Sequence, residues 1–422
     1  MSGIRARAAR IPGSKSLTNR ALLLAAAADG TSELAAPLVS DDTVAFRQAL
    51  IGLGVGVEVR DDRWTVTGLG RAPRTGAAVW CADAGTAARF LPVLAAAGEG
   101  EFHFDGSDQL RARPLGPLTR ALVELGARVE TGDGGGLPLH ITARGLAGGE
   151  LTLDSSVSSQ YLTGLLLSAP LMREPLTVVA QGLVSRPYID MTTALMRRFG
   201  ARVGIDAEGR LRVERGGYTG TGLRIEPDAS TASYVFAAAA VTGTAVTVPH
   251  LGKDSLQGDL RFAGVLARTG AEVEIGPDAT TVTGTGRLSG GFDVDMGDIS
   301  DTFMTLAAVA PLADGPITVH GIRHARFKES DRITAIAANL RAGGIRVEEG
   351  EDRITVHPGR MAPTEIACHR DHRIAMAFSV LGLCTPGITL DDPDCVAKTF
   401  PGFHEELTRL FGPQASFPAP AR

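Results

Sequence analysis

A chain of 422 residues, 44% hydrophobic and 21% charged, has a globular composition and is too long for one ordinary core, so two or three domains are expected. A net charge of −5, no dense Lys/Arg block and no apolar run near the roughly 18 residues of a membrane span exclude nucleic-acid and membrane partners from the reading. The cysteines Cys81, Cys368, Cys384 and Cys395 lack C-x-x-C spacing, which suits a reducing cytoplasm better than a disulfide frame or a metal site.

The first ten residues, MSGIRARAAR, carry charge, but no apolar segment follows before Pro12, so no signal peptide is read there. Next comes IPGSKSLTNR, leading into ALLLAAAA. Pro12-Gly13 breaks the chain, Ser14 or Ser16 can cap a helix, and Ser16 and Arg20 share a helix face. A hydroxyl, cations and free backbone N–H groups then meet at one helix start, where the dipole favours anions. Taken alone, a capped helix with two solvated cations is the simpler account.

Further along, the chain repeats itself. ALIGLGVGVEV, ALVELGARVE, ALMRRFGARV, VLARTGAEVEI and NLRAGGIRVEE each read as an amphipathic helix end, a C-terminal glycine and an alternating strand. Their glycines, Gly54, Gly126, Gly200, Gly270 and Gly344, recur every 70 to 74 residues. A second, more apolar helix keeps the same step, with runs from Ala21, Phe90, Leu162, Val235, Met304 and Ile374. These six are expected to be buried on all sides. The last copy ends at TRLFGP, and IRARAARI near the N-terminus is expected to supply its missing strand. Two compact three-repeat domains follow, residues 12–226 and residues 1–11 plus 227–422, with crossings near Pro12-Gly13 and Glu226-Asp228. A solenoid fits less well, because no atypical capping repeat is present.

Each buried helix is preceded by a polar motif: PGSKSLTNR, DAGTAAR, SSVSSQ, PDASTAS, MGDISDT and CHRDHR. Helices that aim such starts at one cleft would build an anion-binding surface. The cations that would join it are Lys15, Arg20, Arg89, Arg113, Arg326, Lys328, Arg332, Arg373 and Lys398, with arginine suited to bidentate grips on carboxylate or phosphate.

Here the residues match a family. PGSKSLTNRALLLA, DAGTAARFLP, RARPLGPL, SSVSSQYLTGLLLSAPL, VSRPYIDMT, KESDRITA, DHRIAMAFSVLGL and AKTFPGF, in this order from Pro12 to about Phe403, resemble 5-enolpyruvylshikimate-3-phosphate synthases. The related UDP-N-acetylglucosamine enolpyruvyl transferases share the fold, but their loop cysteine has no evident counterpart here. The resemblance implies a two-domain inside-out α/β barrel, each domain built from three βαβαββ-type repeats around buried parallel helices. It implies transfer of the enolpyruvyl group of phosphoenolpyruvate to the 5-hydroxyl of shikimate 3-phosphate, with phosphate released. It further implies no cofactor or metal, domain closure on ligand, and a cytoplasmic monomer.

Carried over by position, the resemblance assigns Lys15, Ser16, Arg20, Ser158, Ser159, Gln160, Ser185, Tyr188, Asp301, His324 and Lys328 to shikimate 3-phosphate. It assigns Lys15, Gly85, Arg113, Gln160, Arg332, Arg373 and Lys398 to phosphoenolpyruvate. Asp301 resembles the proton acceptor for the attacking hydroxyl and Glu329 the acid/base at C3, assisted by Lys15, His372 and Lys398. Singly, Asp301 reads as a helix cap, Glu329 with Arg332 as a surface pair and Arg113 as a loop cation; their joint order overturns those readings.

Two positions depart from the family pattern. Asp83 stands where asparagine is usual, and a helix-cap role would keep its charge away from a phosphate cradle. His324 stands where an amide is common, and contact with the acceptor phosphate would raise its pKa. Both motivate a second reading, an enolpyruvyl transferase for another acceptor such as a nucleotide. A non-catalytic anion binder is the third, and it leaves the acid/base set unexplained.

Overall fold

The 70-residue step corresponds to a β-α-β-α-β-β unit, seen in Ala77–Trp80, Gly85–Ala96, Glu99–Asp105, Gly116–Glu124, Arg128–Thr131 and Leu139–Arg144, with short helical turns at Asp108–Arg111 and Asp133–Gly135 between them. The computed structural model describes residues 5–413. In each full repeat the first strand runs parallel to the second, as Ala77 beside Phe102, and the last two close an antiparallel ladder onto it. Five four-stranded sheets share this order, while Thr364–Ile366 and Ile388–Leu390 of the sixth copy form a two-stranded one.

The chain divides into two compact units. Gly13–Ile225 is one, and the described residues up to Pro12 together with those from Glu226 onward are the other. In each unit a four-stranded sheet is completed by a strand from elsewhere in the chain. Gly222–Arg224, at the end of the first unit, completes the first repeat's sheet beside Thr31–Ala35. Arg7–Ala8 pairs with Ala245–Pro249 in the fourth repeat. The N-terminal strand therefore does not fill the shortened sixth sheet, as the sequence suggested. The fourth repeat needs it because that repeat begins directly with a helix at Ala229.

Six helices are almost wholly buried: Lys15–Ala27, Gly85–Ala96, Ser159–Ser168, Ala229–Thr242, Phe303–Val309 and His372–Gly382. Apolar side chains all round suit them to the middle of a unit, where the inward faces of alternating strands, such as Trp64 and Val66, also pack. Small residues set how close they come. A Cβ on Gly164 would lie 2.5 Å from the Arg89 carbonyl oxygen, so glycine lets Ser159–Ser168 touch the backbone of Gly85–Ala96. The five repeat glycines share φ of 85–101°, the left-handed turn that carries each amphipathic helix into its strand.

Candidate active site

In the first unit the polar motifs sit where three buried helices begin. Ser14 is the cap of Lys15–Ala27, its hydroxyl accepting from the Leu17 N–H at 3.4 Å. Lys15 opens the helix, and its Nζ lies 3.1 Å from Asp42 Oδ2. Arg20, one turn on, is 2% exposed. Its guanidinium donates to Thr192 Oγ1 at 2.8 Å and the Ser16 carbonyl at 3.0 Å, and lies over the Phe90 and Tyr188 rings. Burial pulls its pKa down to about 10, against the opposing effect of Tyr188. Arg20 thus braces Ser16 and Tyr188 from beneath.

Gly85 begins the next helix, and a Cβ there would meet the Arg113 guanidinium at 2.5 Å, so glycine is what seats Arg113 against this helix start. Arg89 donates back to the Gly85 carbonyl at 3.0 Å and is 2% exposed, which makes it a framework cation. Ser158 caps Ser159–Ser168 by accepting from the Gln160 N–H at 3.2 Å. The buried Gln160 Oε1 has no hydrogen-bond partner among the described residues. Ala82 and Ser185, just upstream of two of these motifs, hold φ of 48° and 53°, conformations that cost about 1 kcal/mol or more each outside glycine.

In the second unit one network joins four motifs. Arg332 starts its helix with its side chain 2% exposed. It donates through Nε to Asp371 Oδ2 at 2.8 Å, through Nη1 to Asp301 Oδ1 at 3.0 Å and through Nη2 to Glu329 Oε2 at 2.7 Å. Arg373 donates to Asp301 Oδ2 at 2.8 Å and to the Asp301 carbonyl at 3.3 Å. Burial acts to raise the Asp301 pKa, but Arg373, Arg332 and Lys328 outweigh it and hold the carboxyl well below the usual range. Nearby Asp259 goes the other way: burial, and then the Asp301 charge, push it up to about 6.

Asp371 organises this cluster. It is fully buried, grips Arg332, accepts from the Ser330 hydroxyl at 2.9 Å and caps His372–Gly382 through the Arg373 N–H at 3.0 Å. Sequence reasoning passed over it, although its place before the buried helix marked a cap. The adjacent His372 is fully buried, its Nδ1 3.8 Å from Asp371 Oδ1. Lys398 closes the turn Pro393–Lys398 and is 7% exposed.

The structure corrects the expectations for Asp83 and Arg326 and shows the surroundings of His324. Asp83 caps no helix: Ala84 occupies that position, and Asp83 accepts a hydrogen bond from Ser107. His324 is 2% exposed with Nε2 2.7 Å from Ser300 Oγ, and burial, then Lys328, lower its pKa to about 4, so the protein groups alone favour the neutral ring. Arg326 belongs to the framework, with bonds to Asp331, Glu349 and the Gly350 carbonyl at 2.6–3.3 Å.

Two three-repeat α/β units, with cations, hydroxyls and paired carboxylates at the starts of buried helices, define the enolpyruvyl transferase fold. A solved EPSP synthase from Acinetobacter baumannii matches it with TM-score 0.79 at 28% identity, over 97% of this chain and 96% of that one. The enolpyruvyl transferase NikO from Streptomyces tendae shares the fold at 18% identity and TM-score 0.76. The chain belongs to the family of EPSP synthase (3-phosphoshikimate 1-carboxyvinyltransferase), whose sequence model matches residues 4–407. Proteins named 3-phosphoshikimate 1-carboxyvinyltransferase from Nostoc punctiforme and Shewanella denitrificans are 44% identical over 407 residues and 43% over 409, each alignment covering 95% of both chains.

Proposed function

We propose that this enzyme transfers the enolpyruvyl group of phosphoenolpyruvate to the 5-hydroxyl of shikimate 3-phosphate and releases phosphate. The observation that carries the reading is the Asp301–Arg332–Glu329–Arg373 network, which sets two carboxylates and two guanidiniums within hydrogen-bond distance of one another. A mere anion binder would gain nothing from holding Asp301 and Glu329 against its cations.

In this reading Lys15, Gly85, Arg113, Gln160, Arg332, Arg373 and Lys398 hold phosphoenolpyruvate. Ser16, Arg20, Ser158, Ser159, Ser185 and Tyr188 serve shikimate 3-phosphate together with Lys15, Gln160, Asp301, His324 and Lys328. A neutral His324 supplies one donor or one acceptor to that work, much as an amide would. The other-acceptor reading is less favoured, because relatives 43–44% identical along 95% of the chain are named 3-phosphoshikimate 1-carboxyvinyltransferase.

The arrangement also suggests how Asp301 acquires basicity. Arg332 and Arg373 keep Asp301 ionised and a weak base. A phosphoenolpyruvate anion that takes over these guanidiniums removes part of that stabilisation, and the Asp301 carboxyl becomes more basic. Glu329, once protonated, gives its proton to C3 while Asp301 accepts the proton of the 5-hydroxyl as its oxygen adds to C2. Return of a C3 proton to Glu329 then re-forms the double bond as the bond from C2 to the phosphate oxygen breaks, and the leaving phosphate takes the proton held by Asp301. His372 and Lys398 would assist these transfers.

No helix of the described residues is long and apolar enough to cross a membrane. The reading extends, by family resemblance, to a cytoplasmic monomer, and light scattering on the purified chain tests the monomer. The reaction itself is tested by incubation with phosphoenolpyruvate and shikimate 3-phosphate while free phosphate is followed. Release that requires both substrates is expected. Release with another acceptor alone would refute the assignment.

A further inference from the structure

At the other end of the first unit's buried helices lies a cavity of about 550 Å³ lined by five exposed arginines among small and apolar residues. The helix Gly85–Ala96 meets Arg113 at its start and reaches this cavity at its far end, roughly 18 Å away at 1.5 Å per residue. All three repeats contribute to the wall. Arg71 and Arg74 follow the last strand of the first repeat, Arg144 ends the corresponding strand of the second, and Arg215 follows that of the third. Arg173 adds a fifth cation, donating to the Arg144 carbonyl, and Glu99 is the single carboxylate in the lining.

Arg71, Arg74, Arg144 and Arg215 form no ion pair among the described residues, and Glu99 neutralises none of them. Carbonyl ends of the buried helices offset part of their mutual repulsion, because a helix C-terminus favours cations. That partial charge falls well short of five arginines against one carboxylate in the lining, in a protein whose net charge is −5. The volume lies in the range of small-molecule sites, and the spread of the cations around it suits several anionic groups better than one. Guanidinium also favours bidentate contact with phosphate oxygens.

We propose that this cavity is a second anion site, separate from the catalytic groups, that binds a small ligand carrying two or more linked phosphates. The inference does not depend on the enolpyruvyl reading, since none of its residues belongs to that machinery.

The test is calorimetric titration of the full chain with inorganic tripolyphosphate at low salt, alongside a nucleoside triphosphate to show whether a base and sugar add affinity. The exposed pair Arg144→Gln/Arg215→Gln should keep the wild-type circular dichroism and thermal midpoint. Each lost charged contact should weaken binding about tenfold. A Lys15→Ala/Arg113→Ala variant controls for binding at the catalytic groups and should retain the site. Binding should also weaken as salt is raised. Loss of tripolyphosphate binding only in Lys15→Ala/Arg113→Ala, or no binding to wild type at ~1 mM, the weak end of specific affinity, would overturn the proposal.

Discussion

Replacing Asp371 by asparagine should loosen the second unit more than its small change in shape suggests. The substitution keeps an oxygen for the Arg373 N–H, so the helix cap survives, asparagine and aspartate being equivalent there. What goes is the charge facing Arg332 through contacts of 2.8 and 3.3 Å, between side chains 0% and 2% exposed. Removing one partner of a buried ion pair costs about 3–5 kcal/mol. The lower end applies here, because Arg332 keeps Asp301 at 3.0 Å and Glu329 at 2.7 Å. The new amide N–H₂ must also face the Ser330 hydroxyl or the Arg332 Nε, both of which donate to Asp371. A loss near 3 kcal/mol corresponds to roughly 100-fold lower hydrogen-exchange protection, which mass spectrometry can read on the segment 372–382. Gly85–Ala96, in the other unit, serves as the internal reference. Asp371→Ala should lose about 1 kcal/mol more, as the cap goes too. Protection of 372–382 in Asp371→Asn within threefold of wild type would show that the charge is not what holds Arg332.

Glu329→Gln should bind phosphoenolpyruvate but turn over on the order of 10²-fold more slowly, and near-normal turnover would reduce Glu329 to a partner of Arg332. Gly85→Ala puts a methyl 2.5 Å from the Arg113 guanidinium, so the KM for phosphoenolpyruvate should rise at least about tenfold, the scale of one displaced charged contact; an unchanged KM would separate Arg113 from that substrate. His324 has a depressed pKa, so its contribution to stability is present above about 6.5 and is lost as pH falls through about 4. His324→Asn should therefore spare the protein on the order of 3 kcal/mol of acid destabilisation, and identical thermal-midpoint profiles from pH 7 to 4 would contradict a buried neutral imidazole. Asp259 has the opposite sign: its raised pKa gives stability that is complete below about 3.8 and is lost as pH rises through about 6. Asp259→Asn should accordingly raise the thermal midpoint at pH 7 and not at pH 4, and a lower midpoint at both would refute this.

The repeat was legible in the chain because its signals are local. A glycine that turns a helix into a strand, an apolar run longer than one face, and serine or aspartate at a helix start each depend on neighbours within a turn or two. The six buried helices and the polar groups at their starts follow from those signals. Partners tens of residues apart in sequence were decided by tertiary structure alone. Asp371 reaches Arg332 across 39 positions, Arg373 reaches Asp301 across 72, and Arg20 is sealed beneath Thr192 across 172. Nothing in a one-dimensional pattern distinguishes Arg326, fastened to the Gly350 carbonyl and two carboxylates, from Arg332 beside the two carboxylates read as catalytic. His324 makes the same point about charge. Its residue type suggested a cation among phosphates, yet burial against Ser300 and near Lys328 leaves it neutral, because protonation state follows from the dielectric and the charges that the fold assembles around a side chain.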